Sequence, residues 1–203
     1  MSEKNITQTE KNYAVDEYLN IERNSGKKSE YSNGKVLTTN NSNRMHNLIV
    51  SNITIAVGSR LGGNKAEIYV SNMRVQVNAN RFSYPSVVIV SGEPNFIDNK
   101  SDVLLNPTVV VEIYSTATSF HDKTEKLEAY LAMSSIREYL LVKEDEMRVE
   151  HYTKQNAKQW IYRIYNDKDE VVTIDALNCK ISMTEIYAQI KFGQAQVKSQ
   201  SVS

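Results

Sequence analysis

Pro107-Thr108-Val109-Val110-Val111-Glu112-Ile113-Tyr114 is an apolar run of strand length, opened by a proline and broken by one carboxylate. Its three consecutive valines and Ile113 show no polar alternation, which is the pattern of a strand buried on both faces. A carboxylate in such a place is costly unless a charge compensates it. Glu112 therefore calls for a metal ion or a cationic side chain nearby. An earlier run, Tyr84-Pro85-Ser86-Val87-Val88-Ile89-Val90, has the same form, and its polar residue is the hydroxyl of Ser86.

Outward from these two strands the pattern alternates between helix and strand. Toward the N-terminus, Ala14, Tyr18 and Ile21 share a helical stripe, and Asn33-Gly34 reads as a hairpin turn because both residues tolerate positive φ. Met45, Ile49, Ile53 and Ala56/Val57 predict a second helix that stops at Gly62-Gly63. Strands are expected at 67–70, 73–77, 86–90 and 108–114, with a surface loop over 91–106. A third helix follows at about 122–133, aligned through Leu127, Tyr130 and Leu131. Further strands are expected at 139–143, 148–153, 159–165 and 171–174, with a closing helix at 184–190. The fold class is α/β (α+β), a mixed central β-sheet flanked by helices.

The chain of 203 residues fits one domain, taken as 13–191, with tails at 1–12 and 192–203. Lys plus Arg and Asp plus Glu both number 24, so composition gives no electrostatic argument for a nucleic-acid partner. The single cysteine, Cys179, rules out an intramolecular disulfide and fits a reducing cytoplasm. The N-terminal residues lack the apolar core of a signal peptide, and no apolar run approaches membrane-helix length.

The ordered motifs carry a resemblance. They run from Glu30-Tyr31-Ser32-Asn33-Gly34 through His46, Tyr69-Val70-Ser71-Asn72-Met73-Arg74-Val75 and Tyr84-Pro85-Ser86-Val87-Val88. They continue with Leu104-Leu105-Asn106-Pro107, Val111-Glu112, Ser115 to Thr118, Asp122 to Lys126, Tyr130 and Arg137-Glu138-Tyr139. From about Tyr13 to Ile190 this resembles the bacterial Uma-two family of endonucleases, within the PD-(D/E)XK restriction-endonuclease-like superfamily. The resemblance implies a mixed sheet of four or five strands flanked by helices, binding Mg²⁺ and hydrolysing DNA phosphodiesters. It assigns Glu112 to the acidic position of the (D/E)XK strand, with Tyr114 where the superfamily has lysine. Lys126 matches the lysine moved to the next helix, and Glu30 an N-terminal acid that joins the cluster.

Two positions depart from that pattern. The family's Pro-Asp reads Pro85-Ser86, and Asn72 stands where many relatives have aspartate. Mg²⁺ prefers anionic oxygens, so a hydroxyl at Ser86 leaves metal binding weak or absent. The expected catalytic residues are Glu112, Lys126 and Ser86, with Glu112, Glu30 and Ser86 facing the metal. The leading reading is a Mg²⁺-dependent DNA endonuclease of restriction type, impaired or inactive because of Ser86. The alternative is a non-catalytic DNA-binding or self-associating module in which Glu112 pairs with Lys126. A homodimer is expected by analogy with restriction-type nucleases.

The remaining candidates read as structural. His46 lies among apolar neighbours and suits a hydrogen-bonded packing role better than metal ligation. His121 and His151 lack partners at metal-ligand spacing. Cys179 reads as a small buried hydrophobe. Trp160, Tyr162 and Tyr165 read as cover for the sheet or a dimer surface rather than as base-stacking groups.

Overall fold

The valine run at 109–111 is fully buried, whereas residues 112–114 of the same strand are only half-buried. The strand is therefore sealed at its start and opens toward solvent where Glu112 sits, which corrects the expectation of burial along its whole length. The structure is a computed structural model that describes residues 11–38, 42–62, 65–116 and 120–192, without the side chains of 120–123. The tails expected at 1–12 and 192–203 lie almost wholly outside the described residues, as does Gly63.

In chain order the elements are α1 (Val15–Asn24), β1 (Ser29–Ser32), β2 (Lys35–Thr38), α2 (Arg44–Gly58), β3 (Ala66–Val70), β4 (Arg74–Asn78), β5 (Arg81–Ser83) and β6 (Val87–Ser91). They continue with β7 (Val103–Leu104), β8 (Val109–Tyr114), α3 (Phe120–Leu131), β9 (Glu138–Lys143), β10 (Val149–Asn156), β11 (Gln159–Tyr165), β12 (Val171–Ile174), β13 (Cys179–Ser182) and α4 (Met183–Ile186). Asn33 and Gly34 make the β1–β2 turn with φ of 48° and 89°, the left-handed geometry that those residue types accept.

The strands form two mixed sheets and a hairpin. The larger sheet has six strands in the order β11-β10-β9-β8-β6-β3, and the smaller has five in the order β2-β1-β5-β4-β7. β12 and β13 pair separately. In the larger sheet β8 and β9 run parallel and α3 makes the crossover between them, as a parallel connection requires. The other pairs in that sheet are antiparallel.

One apolar layer lies between α2 and the larger sheet, where Ile49, Ile53 and Val57 meet Val87, Ile89, Val109, Val111, Leu140 and Val142. On the opposite face Val88, Val90, Val110, Tyr139 and Leu141 pack against Tyr130 of α3 and against Val75 and Val77 of β4. A third cluster, Tyr18, Leu19, Tyr31, Phe82 and Val103, holds α1 to the smaller sheet. Glu112 shares the parity of Val110 and so lies on the α3 side.

The differences from expectation have local causes. α2 ends at Gly58 rather than at Gly62, because turns closed by Arg60 N–H to Val57 C=O and Leu61 N–H to Gly58 C=O take over. The closing helix is a single short turn, 183–186, capped by Ser182, whose hydroxyl accepts from Glu185 N–H at 3.2 Å. The loop over 91–106 contributes β7, because Val103 and Leu104 find a parallel partner in Arg74 and Val75.

Candidate functional site

Three elements bring acids and an ammonium together. The β1–β2 hairpin presents Glu30, the open end of β8 presents Glu112, and α3 lays Lys126 across both. Lys126 Nζ donates to Glu30 Oε1 at 2.8 Å and stands 3.8 Å from Glu112 Oε1. The Tyr84 backbone N–H also donates to Glu30 Oε1, at 3.2 Å, which fixes that carboxylate from the β5–β6 side. Glu112 Oε1 is buried and accepts no hydrogen bond from the described residues.

The electrostatics follow from this geometry. Burial pushes the Glu112 carboxyl up to about 7, with the Glu30 charge adding to the rise and Lys126 opposing it. Burial alone would depress the Lys126 ammonium, but Glu112 and Glu30 together hold it above the ordinary lysine value. Glu112 is thus an acid that exchanges its proton near neutrality, next to a fixed positive charge.

Ser86 sits at the foot of β6, whose Val87 pairs with Val111, so the register sets Ser86 level with Glu112. Its Oγ accepts from the Ile113 N–H at 3.1 Å and lies 3.1 Å from His46 Nε2. Burial and the nearby Lys28 charge lower the His46 pKa, which favours the neutral ring. His46 is therefore hydrogen-bonded to Ser86 in the first turn of α2. Asn43 caps that turn, accepting from His46 N–H at 2.9 Å while its amide donates to the buried Glu144 at 2.8 Å. Asn is a preferred cap because its short carbonyl reaches the orphan amides of the first turn.

The structure brings Glu30, Glu112 and Lys126 into one cluster, with Ser86 and His46 on its α2 flank. Other candidates lie elsewhere. Asn72 is exposed on the β3–β4 turn, and Glu125 is turned to Arg81 at 2.9 Å. The side chains of His121 and Asp122 fall outside the described residues. His151 is fully buried against Glu138 at 2.5 Å on the α2 side of the larger sheet, remote from Lys126 along the fold. Cys179 is buried, and burial pushes its thiol up.

Among the described residues no three His, Cys, Asp or Glu side chains converge in a way that could hold a metal ion. The two acids present share an ammonium, and the third position is a neutral hydroxyl already engaged by Ile113 and His46. A hard dication favours anionic oxygens and sheds its water reluctantly. These residues do not fit a resident Mg²⁺.

Sequence reasoning missed Asn43, Glu144 and the Tyr84 amide. Asn43 had a readable signal, a cap-forming residue directly before an apolar-periodic stretch. The Tyr84 main-chain contact had none.

Comparison with known proteins bears on the same region. The family model described as "Uma2: Putative restriction endonuclease" matches residues 15–185. A Synechocystis sp. protein named "Uncharacterized protein sll1609" is 31% identical over 157 residues, covering 77% of this chain and 89% of that one. A second Synechocystis sp. protein, "Uncharacterized protein slr1290", is 25% identical over 179 residues, covering 87% and 92%. The crystal structure titled as a putative nuclease belonging to DUF820 from Anabaena variabilis superposes with a TM-score of 0.70 at 17% identity, over 86% of this chain and 97% of that one. At that identity the likeness shows a shared fold.

Proposed function

This chain belongs to the Uma2 restriction-endonuclease family, and we propose that it engages DNA on this scaffold while Mg²⁺-dependent phosphodiester cleavage is impaired by Ser86. The observation that carries the reading is the internal satisfaction of the site. Lys126 spans Glu30 and Glu112, and the Ser86 hydroxyl is held by Ile113 and His46.

In an active relative of this geometry a metal ion would supply charge at the scissile phosphate and a more acidic bound water. The residues of this chain can do less. Lys126 offers a fixed positive charge to a phosphate oxygen, and Glu112 can hold or release a proton close to neutral pH. Removing one electrostatic group from such a site costs roughly 100- to 1000-fold in rate. The reading is therefore DNA binding without efficient cutting.

The test is Ser86→Asp. Ile113 N–H and the His46 ring both face this position and can donate to a carboxylate, so the new acid has partners waiting. The expected outcome is little Mg²⁺-dependent nicking of supercoiled plasmid by the natural chain, and an increase of about 100-fold or more for the variant. A folded Ser86→Asp protein that binds Mn²⁺ in a thermal-shift titration but still fails to cut would overturn the proposal.

A further inference from the structure

The larger sheet carries a second surface that the acid site does not use. On the α3 side, beyond Glu112 and Leu141, the β10–β11 hairpin presents Tyr152, Lys154, Trp160 and Tyr162, together with the Glu150–Ile164 pair. The cross-strand pairs are Tyr152 with Tyr162 and Lys154 with Trp160. Tyr165 has the opposite parity and packs with the α2-side core, so the aromatic run is divided between two faces. The Tyr152 and Tyr162 rings lie 4.8 Å apart, and the Lys154 ammonium sits 5.3 Å from the Trp160 ring centroid. Tyr162 is 46% exposed, and its hydroxyl donates to Glu150 at 3.1 Å, which fixes the ring's orientation.

Charge favours a polyanion here. From Arg148 to Tyr165, in a molecule of zero net charge, this face and its turn carry Lys154 and Lys158 beside the paired Arg148 and Glu150, while Arg163 pairs with His151 and lies on the α2 side. Glu150 is itself buried and receives Tyr114 Oη at 2.9 Å and Arg148 Nε at 3.3 Å. Trp160 is half-buried with the Lys154 ammonium over its ring, and Tyr162 is exposed; lysines beside partly exposed rings are a recognition chemistry of unpaired bases. Rings stack on any base, and the cations follow the phosphates. A duplex hides its base faces, so the rings would add nothing there. Three strand spacings separate Glu112 from β11, about 14 Å, and both lie on one side of the sheet.

We infer that the β10–β11 face binds single-stranded DNA, with Trp160 and Tyr162 stacking on bases. The inference rests on the reading that the partner is DNA and names the form of DNA and the place it occupies.

Trp160 is the sole tryptophan of the chain, so its emission reports on this face directly. The full-length protein is titrated with a thymidine 20-mer and with a blunt duplex of equal length, reading tryptophan emission and the anisotropy of a dye on the DNA. The 20-mer should quench Trp160 saturably and bind more tightly than the duplex. Tyr162→Leu, which keeps an apolar side chain but removes the ring, should weaken the 20-mer about tenfold. Lys158→Gln, at the exposed hairpin turn, should reduce the log-log salt slope by about 0.7.

The inference is overturned if either DNA binds by anisotropy while Trp160 emission stays unchanged; DNA binding itself would then stand. Equal affinity for the duplex, or no effect of Tyr162→Leu, also overturns it. Emission that shifts with protein concentration alone would assign the face to a second copy of the chain and overturn it as well. Absence of binding by both DNAs removes this inference and the DNA reading together.

Discussion

Lys126 Nζ donates to Glu30 Oε1 at 2.8 Å across 96 positions of the chain, joining α3 to the first strand of the smaller sheet. Neither partner is well exposed, with side-chain accessibilities of 28% and 14%. The bond therefore holds a tertiary arrangement as well as a charge.

Removing the ammonium should leave two acids facing each other with no counter-charge. Lys126→Met is expected to destabilise the protein by about 1–3 kcal/mol, below the cost of breaking a fully buried pair because water reaches part of the site. Urea unfolding at neutral pH measures it. No change in the midpoint would show that Lys126 contributes nothing to the fold.

The raised pKa of Glu112 makes stability depend on pH in a stated direction. Its carboxyl is held at about 7 in the folded chain, above its ordinary value. The native state therefore keeps a proton that the unfolded chain has already lost, and stability falls as pH rises toward 7. Below the ordinary carboxylate range both states are protonated and the penalty vanishes. The fall should amount to about 3 kcal/mol, and Glu112→Gln should flatten it. Unfolding free energies at pH 5 and pH 7.5 test this, and a natural chain with no steeper dependence than the variant would contradict it.

Glu138 and His151 form a pair with side-chain accessibilities of 1% and 0%, at 2.5 Å, and Glu138 also accepts from the Ala176 N–H at 2.7 Å. Removing one partner strands a polar group in a dry core. His151→Leu should cost about 3–5 kcal/mol. The double change His151→Leu with Glu138→Met should cost less than the two single changes added together, as for coupled neighbours. Additivity in a double-mutant cycle would dismiss the coupling.

Asn43→Ala should lose about 1 kcal/mol as a helix cap and leave Glu144 without its amide donor. Proton exchange of the first-turn amides of α2, His46 included, should accelerate in this variant. Unaltered exchange at His46 would mean that the cap does not hold that turn.

The strands around Ser86 and Glu112 could be read from their unbroken apolar runs, and the helices from their stripes, because both signals are local. The cluster of Glu30, Glu112 and Lys126 was legible only through the order of several motifs, since no spacing in one segment reveals contacts across so much chain. The division into two sheets was not legible. β1, β5 and β4 look like any other short strands, and their partners are set by distant registers such as Tyr31 with Phe82. The faces of Trp160 and Tyr165 were equally hidden until the β10–β11 register fixed their parity.

Glu30 belongs to the smaller sheet and Glu112 to the larger, with one helix riveting them. The cluster is thus a joint between two separately hydrogen-bonded slabs, and its geometry is only as durable as their seating. Gentle heating or mild denaturant that loosened the outer slab would dismantle the joint while the valine-rich slab stayed intact. Separation of Glu30 from Glu112 should then precede melting, and an assay of folding alone would miss it.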